Sequence, residues 1–232
     1  MRRAACLAAI ALTVAATTPS LAQRIGSRIG RDAGPKDGMA ALAIIADCVG
    51  SRHPAYVRRW MMSLPGTQEE QTILDQQQDG DLSLCMSSDK LVMDGKAIRF
   101  KARTLRAPVA MVLVRQQMRA WPTALPVTAK AEPWFESKLA AWPRGQEIDG
   151  MSISLLDFGH CVALAQWASV HDLLIAKEGS PEEQRAVKAL APVLGPCLTS
   201  DVQLTVTPDT LRKVLSEPVY HILQGDSLPA VS

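Results

Sequence analysis

Beyond residue 22, this chain has no apolar run long enough to cross a bilayer as a helix, which takes roughly 20 residues. It also lacks the Cys-x-x-Cys spacing of thiol redox sites, the Gly-x-Ser-x-Gly of many hydrolases and a Gly-rich phosphate loop. We therefore expect no membrane span after signal cleavage and no cofactor. No motif in the sequence identifies a catalytic residue, and we expect no metal site.

Neither sign of charge is in marked excess. The chain carries 25 Lys+Arg and 23 Asp+Glu, and two of the basic residues, Arg2 and Arg3, stand at its N-terminus. Without residues 1–22 both counts are 23. A balanced charge is not typical of proteins that bind nucleic acid, so we expect no nucleic-acid partner.

Residues 1–22 show the three parts of a secretory signal. Arg2 and Arg3 precede an uncharged apolar run over residues 4–16, and Ser20-Leu21-Ala22 puts small residues before Gln23. This order predicts a cleavable signal peptide and a periplasmic or secreted protein. Residues 23–39 are rich in glycine and basic residues, which predicts a flexible basic tail.

The rest of the chain contains an internal duplication. At a constant spacing of 113 residues, nine pairs are identical: Leu42/Leu155, Cys48/Cys161, Val49/Val162, Ala55/Ala168, Val57/Val170, Gly66/Gly179, Glu69/Glu182, Glu70/Glu183 and Gln71/Gln184. After two gaps, Thr104-Leu105-Arg106 aligns with Thr210-Leu211-Arg212 at a spacing of 106. We predict one helical repeat over 40–116, the first half, and another over 153–224, the second half.

The two halves are joined by a connector over 117–152 of different composition. It holds four prolines together with Trp121, Trp134 and Trp142. Because three indoles are unusual in a solvated linker, we expect the connector to pack across both halves with the indoles partly buried. An aromatic platform for a ligand is the alternative. Residues 225–232 form a C-terminal tail.

Each half is predicted to contain three helices, with short extended pieces, which makes the fold class mainly α. The first helix ends at Gly66 or Gly179, and a hydroxyl residue followed three positions later by Glu forms a capping box for the second. In the first half, Pro54 predicts a break in the opening helix, whereas the second half predicts one continuous buried helix. A strand-like piece, Ala97–Phe100 or Val202–Val206, precedes the third helix.

Four cysteines remain after export, two in each half. An even count in an exported chain favours disulfides. Cys48 and Cys85 lie at similar distances on either side of Gly66, as do Cys161 and Cys197 around Gly179. Two helical arms of equal length folded back at a turn bring their ends together, so we predict the bonds Cys48–Cys85 and Cys161–Cys197. Thiol redox chemistry or a metal site is the rival interpretation.

Outside the capping boxes, the polar residues common to both halves are Asp89, Asp201, Arg106 and Arg212. Each Asp–Arg pair is a weak candidate for a small polar ligand site. The structural alternative is an Asp that caps a turn and an Arg that pairs with it or extends to solvent.

The repeat resembles one found in uncharacterised exported proteins of Gram-negative bacteria. The residues that carry the resemblance are Cys48-Val49 and Cys161-Val162, Gly66 to Glu70 and Gly179 to Glu183, the closing Cys85 and Cys197, and the two Thr-Leu-Arg motifs. It covers both halves but not the connector, and it implies no activity or ligand.

Two duplicated units without shared catalytic groups favour a helical interaction or scaffold protein whose partner is a protein or a component of the cell envelope. The first alternative is an envelope hydrolase with a site between the halves, using unmatched residues such as His53, His171 and Asp172. The second alternative is a thiol redox protein, which requires a free or strained cysteine pair.

Overall fold

The computed structural model describes residues 35–78, 81–86, 101–118, 123–127, 129–199 and 204–225. The predicted signal peptide, residues 23–34 of the tail, the extended piece at 97–100 and residues 226–232 lie outside these ranges. Asp89 and Asp201, two of the candidate polar residues, also lie outside them, as does Trp121.

Helices make up most of this described part, which confirms the mainly α class, and it contains no β-strand. The α-helices are α1 Pro35–Arg52, α2 Pro54–Met61, α3 Gln68–Gln78, α4 Asp81–Met86, α5 Arg106–Met118, α6 Glu136–Ala140, α7 Gly150–Ala165, α8 Trp167–Ile175, α9 Pro181–Cys197 and α10 Pro208–Gln224. A 3₁₀ turn, Ala102–Leu105, leads into α5. Leu204–Val206 has no regular structure.

Both halves interrupt the opening helix at matched positions. The first breaks at His53, between α1 and α2, and the second at Gln166, between α7 and α8. The backbone angles are similar, φ −128° and ψ 53° at His53 and φ −144° and ψ 51° at Gln166. The prediction of one continuous helix in the second half is therefore wrong. Since no proline follows Gln166, this bend forms without a helix-breaking residue.

Further helix ends agree at the same two spacings. At a spacing of 113 residues, Arg52 at the end of α1 corresponds to Ala165 at the end of α7. At a spacing of 106, the last residue of α5, Met118, corresponds to Gln224 at the end of α10. The two halves therefore agree at these helix ends, although the single helix α9 corresponds to two helices, α3 and α4, in the first half.

Both predicted disulfides are present. Cys48 bonds Cys85 with the Cα atoms 5.6 Å apart, and Cys161 bonds Cys197 with the Cα atoms 5.7 Å apart. The pairing is confirmed, although the arms are not straight helices, because α7 and α8 meet at a bend of 110°. The bonds indicate folding in an oxidising, extracellular-type environment.

Each turn between the arms is built in the same way. Gly66 and Gly179 have φ of +80° and +73°, which favours glycine. The hydroxyl of Thr67 accepts the N–H of Glu70, and the hydroxyl of Ser180 accepts the N–H of Glu183, both at 3.2 Å. These contacts confirm the predicted hydroxyl caps.

The core lies where α5 and α10 pack against each other and against α1 and α7. Gly159 of α7 faces α10 so closely that a Cβ there would lie 2.6 Å from the carbonyl oxygen of Val214. Leu211, Leu215 and Ile222 of α10 are buried, as the predicted amphipathic third helix requires. The helix continues through Pro218.

None of the helices described is by itself long and apolar enough to cross a membrane. Only α7 and α8 taken together pass on length and composition, across their 110° bend.

Replacing Cys161 and Cys197 together by serine should lower the free energy of unfolding by about 3–4 kcal/mol, because each disulfide restricts the unfolded chain. The same change at Cys48 and Cys85 should cost a similar amount, since the sequence separations are 36 and 37 residues. Guanidinium unfolding of both variants measures this. Unchanged midpoints would contradict the structural role of these bonds.

Candidate functional site

Arg106 and Arg212, the two arginines that the sequence singled out, are buried at matched places. Arg106 donates to the carbonyl oxygens of Trp60, Met61 and Ser63 at 3.3, 3.0 and 2.8 Å. Arg212 donates to the carbonyl oxygens of Leu173 and Ala176 at 3.2 and 2.8 Å. Trp60 and Leu173 are 113 residues apart, as are Ser63 and Ala176. Each guanidinium therefore covers carbonyls at the C-terminal end of the helix before the turn, where positive charge is favourable.

The carboxylate partner of each arginine is the capping-box glutamate. Arg106 Nη1 lies 2.9 Å from Glu70 Oε1, and Arg212 Nη1 pairs with Glu183 Oε1. The other oxygen of each carboxylate accepts a glycine N–H, from Gly66 at 2.8 Å or Gly179 at 2.7 Å. One glutamate thus joins the turn, the next helix and the third helix of its half.

This pairing corrects two expectations. The glutamates do more than cap a helix, and both are buried in the core. The arginines do not extend to solvent. The sequence signal was available, because Glu70/Glu183 and Arg106/Arg212 are each retained in both halves, but nothing in the spacing says that these two pairs meet.

In the first half, a second carboxylate closes the arginine site. Glu217 of α10 binds the Nε of Arg106 with its two oxygens at 3.0 and 2.9 Å, and its Oε1 lies 2.6 Å from Nη2. Burial alone would lower the pKa of Arg106, but Glu217 and Glu70 raise it above the usual value. The guanidinium of the first half is therefore tied to a helix of the second.

One turn beyond Glu217, His221 is almost fully buried and its ring stacks on Trp134 of the connector. The ring centroids are 4.1 Å apart and the planes differ by 18°. The pKa of His221 lies well below its usual value, first because the ring is buried and then because Arg106 is positively charged. The Met61 carbonyl raises this pKa and partly offsets both effects. His160 of α7 and Lys138 of α6 add small effects in the same direction as Arg106. The ring is therefore neutral at neutral pH.

The connector covers this closed site. Trp134 and Phe135 are buried against Leu64 of the first half and Leu156 of the second. Asp149 lies over Gly66, where an added Cβ would meet it at 2.6 Å. The connector therefore packs across both halves as expected. Trp134 is too deeply buried to form an open aromatic platform, and Trp142 is half-buried with its N–H directed to Gln146 O at 3.4 Å.

In the second half, the matched region is open. A cleft of about 710 Å³ lies beside Arg212. Its lining comes from α1, α5, the turn before α9, α9 and the start of α10: Ala40, Ala43, Pro108, Met111, Val112, Arg115, Glu178, Gly179, Glu183, Thr207, Pro208, Asp209 and Arg212. An added Cβ at Gly179 would meet nothing within 4 Å, in contrast to Gly66.

Arg115 is a weakly paired cation in the cleft. Its Nε donates to Leu174 O at 3.4 Å, and none of the carboxylates described pairs directly with it. The pKa of Arg115 is lowered, first by burial and then by the neighbouring charge of Arg212. The charge of Glu178 raises this pKa and partly offsets the two effects. A partly desolvated cation at an apolar wall is suited to contact with an anion or with the face of an aromatic ring.

The residues proposed for a hydrolase do not meet in this cleft, and no histidine lines it. His171 is buried, with Nδ1 3.3 Å from Oδ1 of the exposed Asp172. Asp172 lines a separate hollow of about 600 Å³ on the outer side of α8 and α9. Across the described ranges, no three His, Cys, Asp or Glu side chains are grouped as metal ligands.

The buried His221 predicts acid sensitivity. The pKa of His221 is lower in the folded protein than the value of 6.5 expected in the unfolded chain. Above about pH 6.5 the histidine is neutral in both states, so it does not change the free energy of unfolding there. As the pH falls below that value, this one group should remove about 1.4 kcal/mol of unfolding free energy per pH unit. A His221→Phe variant, which retains a ring against Trp134, should show a shallower pH dependence between about pH 7 and pH 5. Equal slopes in urea unfolding of the two proteins would contradict this assignment.

Comparison with known proteins adds no identity: no family model, no curated protein and no solved structure matches this chain.

Proposed function

We propose that this protein is an interaction or scaffold protein that works outside the cytoplasm and binds a partner in the open cleft. One observation carries the proposal. Of two matched arginine sites, one is covered by the chain's own connector, and the other borders a cleft of about 710 Å³ that the described residues leave open. A concave, mostly apolar surface with a few charged groups is the common form of a binding site.

The frame around the cleft supports this role. Side chains from both halves line it, including Arg115 from the first and Arg212 from the second. Arg212 is fixed by two backbone carbonyls and Glu183. The disulfides fasten α1 to α4 and α7 to α9. Binding groups that are already held in place lose little conformational freedom when a partner arrives.

The export signal predicted at 1–22 and the two disulfides support a periplasmic or secreted location. The internal duplication remains part of the proposal. Its support is the matched breaks at His53 and Gln166, the matched helix ends and the matched Arg–Glu pairs. A partner that is a protein or an envelope component fits this location.

The two alternatives gain no support from these contacts. A hydrolase needs a base beside a nucleophile, and the described lining of the cleft includes hydroxyl and carboxylate groups but no histidine. A redox protein needs a reactive cysteine, whereas all four cysteines of the described helices are bonded.

Photo-crosslinking tests the proposed cleft in the cells that make the protein. A photoreactive amino acid at Asp209, which is exposed and lines the cleft, should give a discrete adduct in protein that begins at Gln23. The matched control carries the same group at Lys188, which is exposed on α9 away from the cleft lining. It should give no such adduct.

Filling the cleft with Val112→Trp should reduce the Asp209 adduct at least about tenfold, since the partner would lose its place. Equal adducts from both positions, or an adduct that Val112→Trp leaves unchanged, would contradict binding at the cleft.

A further inference from the structure

The closed site and the open cleft correspond residue by residue, and the closed one shows what such a site holds. At the spacings of 113 and 106 residues, four matched pairs are Ile153/Ala40, Leu156/Ala43, Gly66/Gly179 and His221/Arg115. The first member of each pair lies against the connector or its Trp134–Phe135 cluster. The second member of each pair lines the cleft.

We propose that the cleft binds a short helical segment of another protein that presents an aromatic side chain, as α6 and its preceding turn present Trp134 in the closed site. This inference rests on the proposed binding function and names the class of partner. The chain's own Trp134 cannot be the occupant, because it is buried against His221. The Trp134 of a second copy would be buried in the same way.

Arg115 is the contact for the aromatic ring. It occupies the position of His221, whose ring stacks on Trp134 at 4.1 Å. A guanidinium is also flat, and it stacks on aromatic faces with an added attraction between its charge and the ring. Arg115 is half-buried and has no direct carboxylate partner among the residues described. An indole or phenyl ring would cover it without requiring a new ion pair.

The walls of the cleft have room for the ring. Where the closed site has Ile153 and Leu156, the cleft has Ala40 and Ala43. Both alanines are exposed, whereas Leu156 is buried under the connector. The smaller side chains leave space for an aromatic group of Trp134's size, and Pro108, Met111 and Val112 provide apolar contacts from α5.

A carboxylate at the cleft fits a lysine on the next turn of the segment. In the closed site, Lys138 Nζ donates to Met62 O at 2.5 Å and lies 3.9 Å from Glu69 Oε2. The residue matched to Glu69, Glu182, lines the separate hollow and pairs with Arg185, so Glu178 is the carboxylate that stands at the cleft. The recognition pattern is therefore an aromatic residue followed by a lysine one helical turn later.

The probe is a peptide with the sequence of residues 130–141, which contains Trp134 and Lys138. Its binding to the intact mature protein is followed by isothermal titration calorimetry. We expect saturable binding with a Kd on the order of 10–100 µM. The same peptide carrying Trp134→Ala should bind at least about tenfold more weakly.

Protein variants place the peptide in the cleft rather than in the closed site. Arg115→Ala should weaken binding at least about tenfold, and Ala43→Leu, which introduces the residue matched at Leu156, should abolish it. Leu156→Ala is the control at the closed site and should leave the affinity unchanged. Because Ala43 is exposed, its variant should unfold at the wild-type temperature, which separates a blocked cleft from a misfolded protein.

The absence of saturable binding at about 1 mM, or binding that Arg115→Ala and Ala43→Leu leave unchanged, would overturn this inference. If the peptide fails while the photo-crosslinker at Asp209 still captures a partner that Val112→Trp excludes, the cleft binds a different chemistry. The proposed function would then stand without the aromatic segment. If both experiments fail, both proposals fall.

Discussion

The buried Arg–Glu pair at the turn of each half is the interaction on which the rest of the structure depends. Glu70 and Glu183 each accept a glycine N–H at the turn and pair with the arginine of the third helix. That arginine in turn covers the last carbonyls of the helix before the turn. Because an unpaired buried charge costs several kcal/mol, neither member is free to move independently.

The two halves use the same pair and differ in what approaches it. In the first half, Glu217, His221 and the connector cover Arg106. Around Arg212, the positions matched to Glu217 and His221 are Met111 and Arg115 of α5, in the first half, and the described residues leave this cleft open. The carboxylate of Glu217 is matched by the thioether of Met111, and the neutral ring of His221 is matched by the cation Arg115. These exchanges leave an exposed surface where the closed site has a structural contact. The difference between the halves, rather than their likeness, is what suggests function.

Much of the frame could be predicted from the sequence, because local signals carried it. The hydroxyl caps, the glycines at the turns and the pairing of Cys48 with Cys85 follow from spacing. The break at Gln166 could not be predicted, since no helix-breaking residue marks it in the sequence. The Arg–Glu contacts join residues 36 and 29 positions apart, and the spacing alone does not identify them. The cleft depends on how α5 and α10 meet, which no motif records.

The most direct measurement compares the unfolding free energies of three single variants in urea: Arg106→Met, Arg212→Met and Arg115→Met. Removing Arg106 leaves the buried Glu217 without its arginine, removing Arg212 does the same to Glu183, and each change should cost about 3–5 kcal/mol. Arg115, which is half-buried and has no direct carboxylate partner among the described residues, should cost less than about 1 kcal/mol. If Arg106→Met and Arg212→Met cost no more than Arg115→Met, the structure does not depend on its buried Arg–Glu pairs.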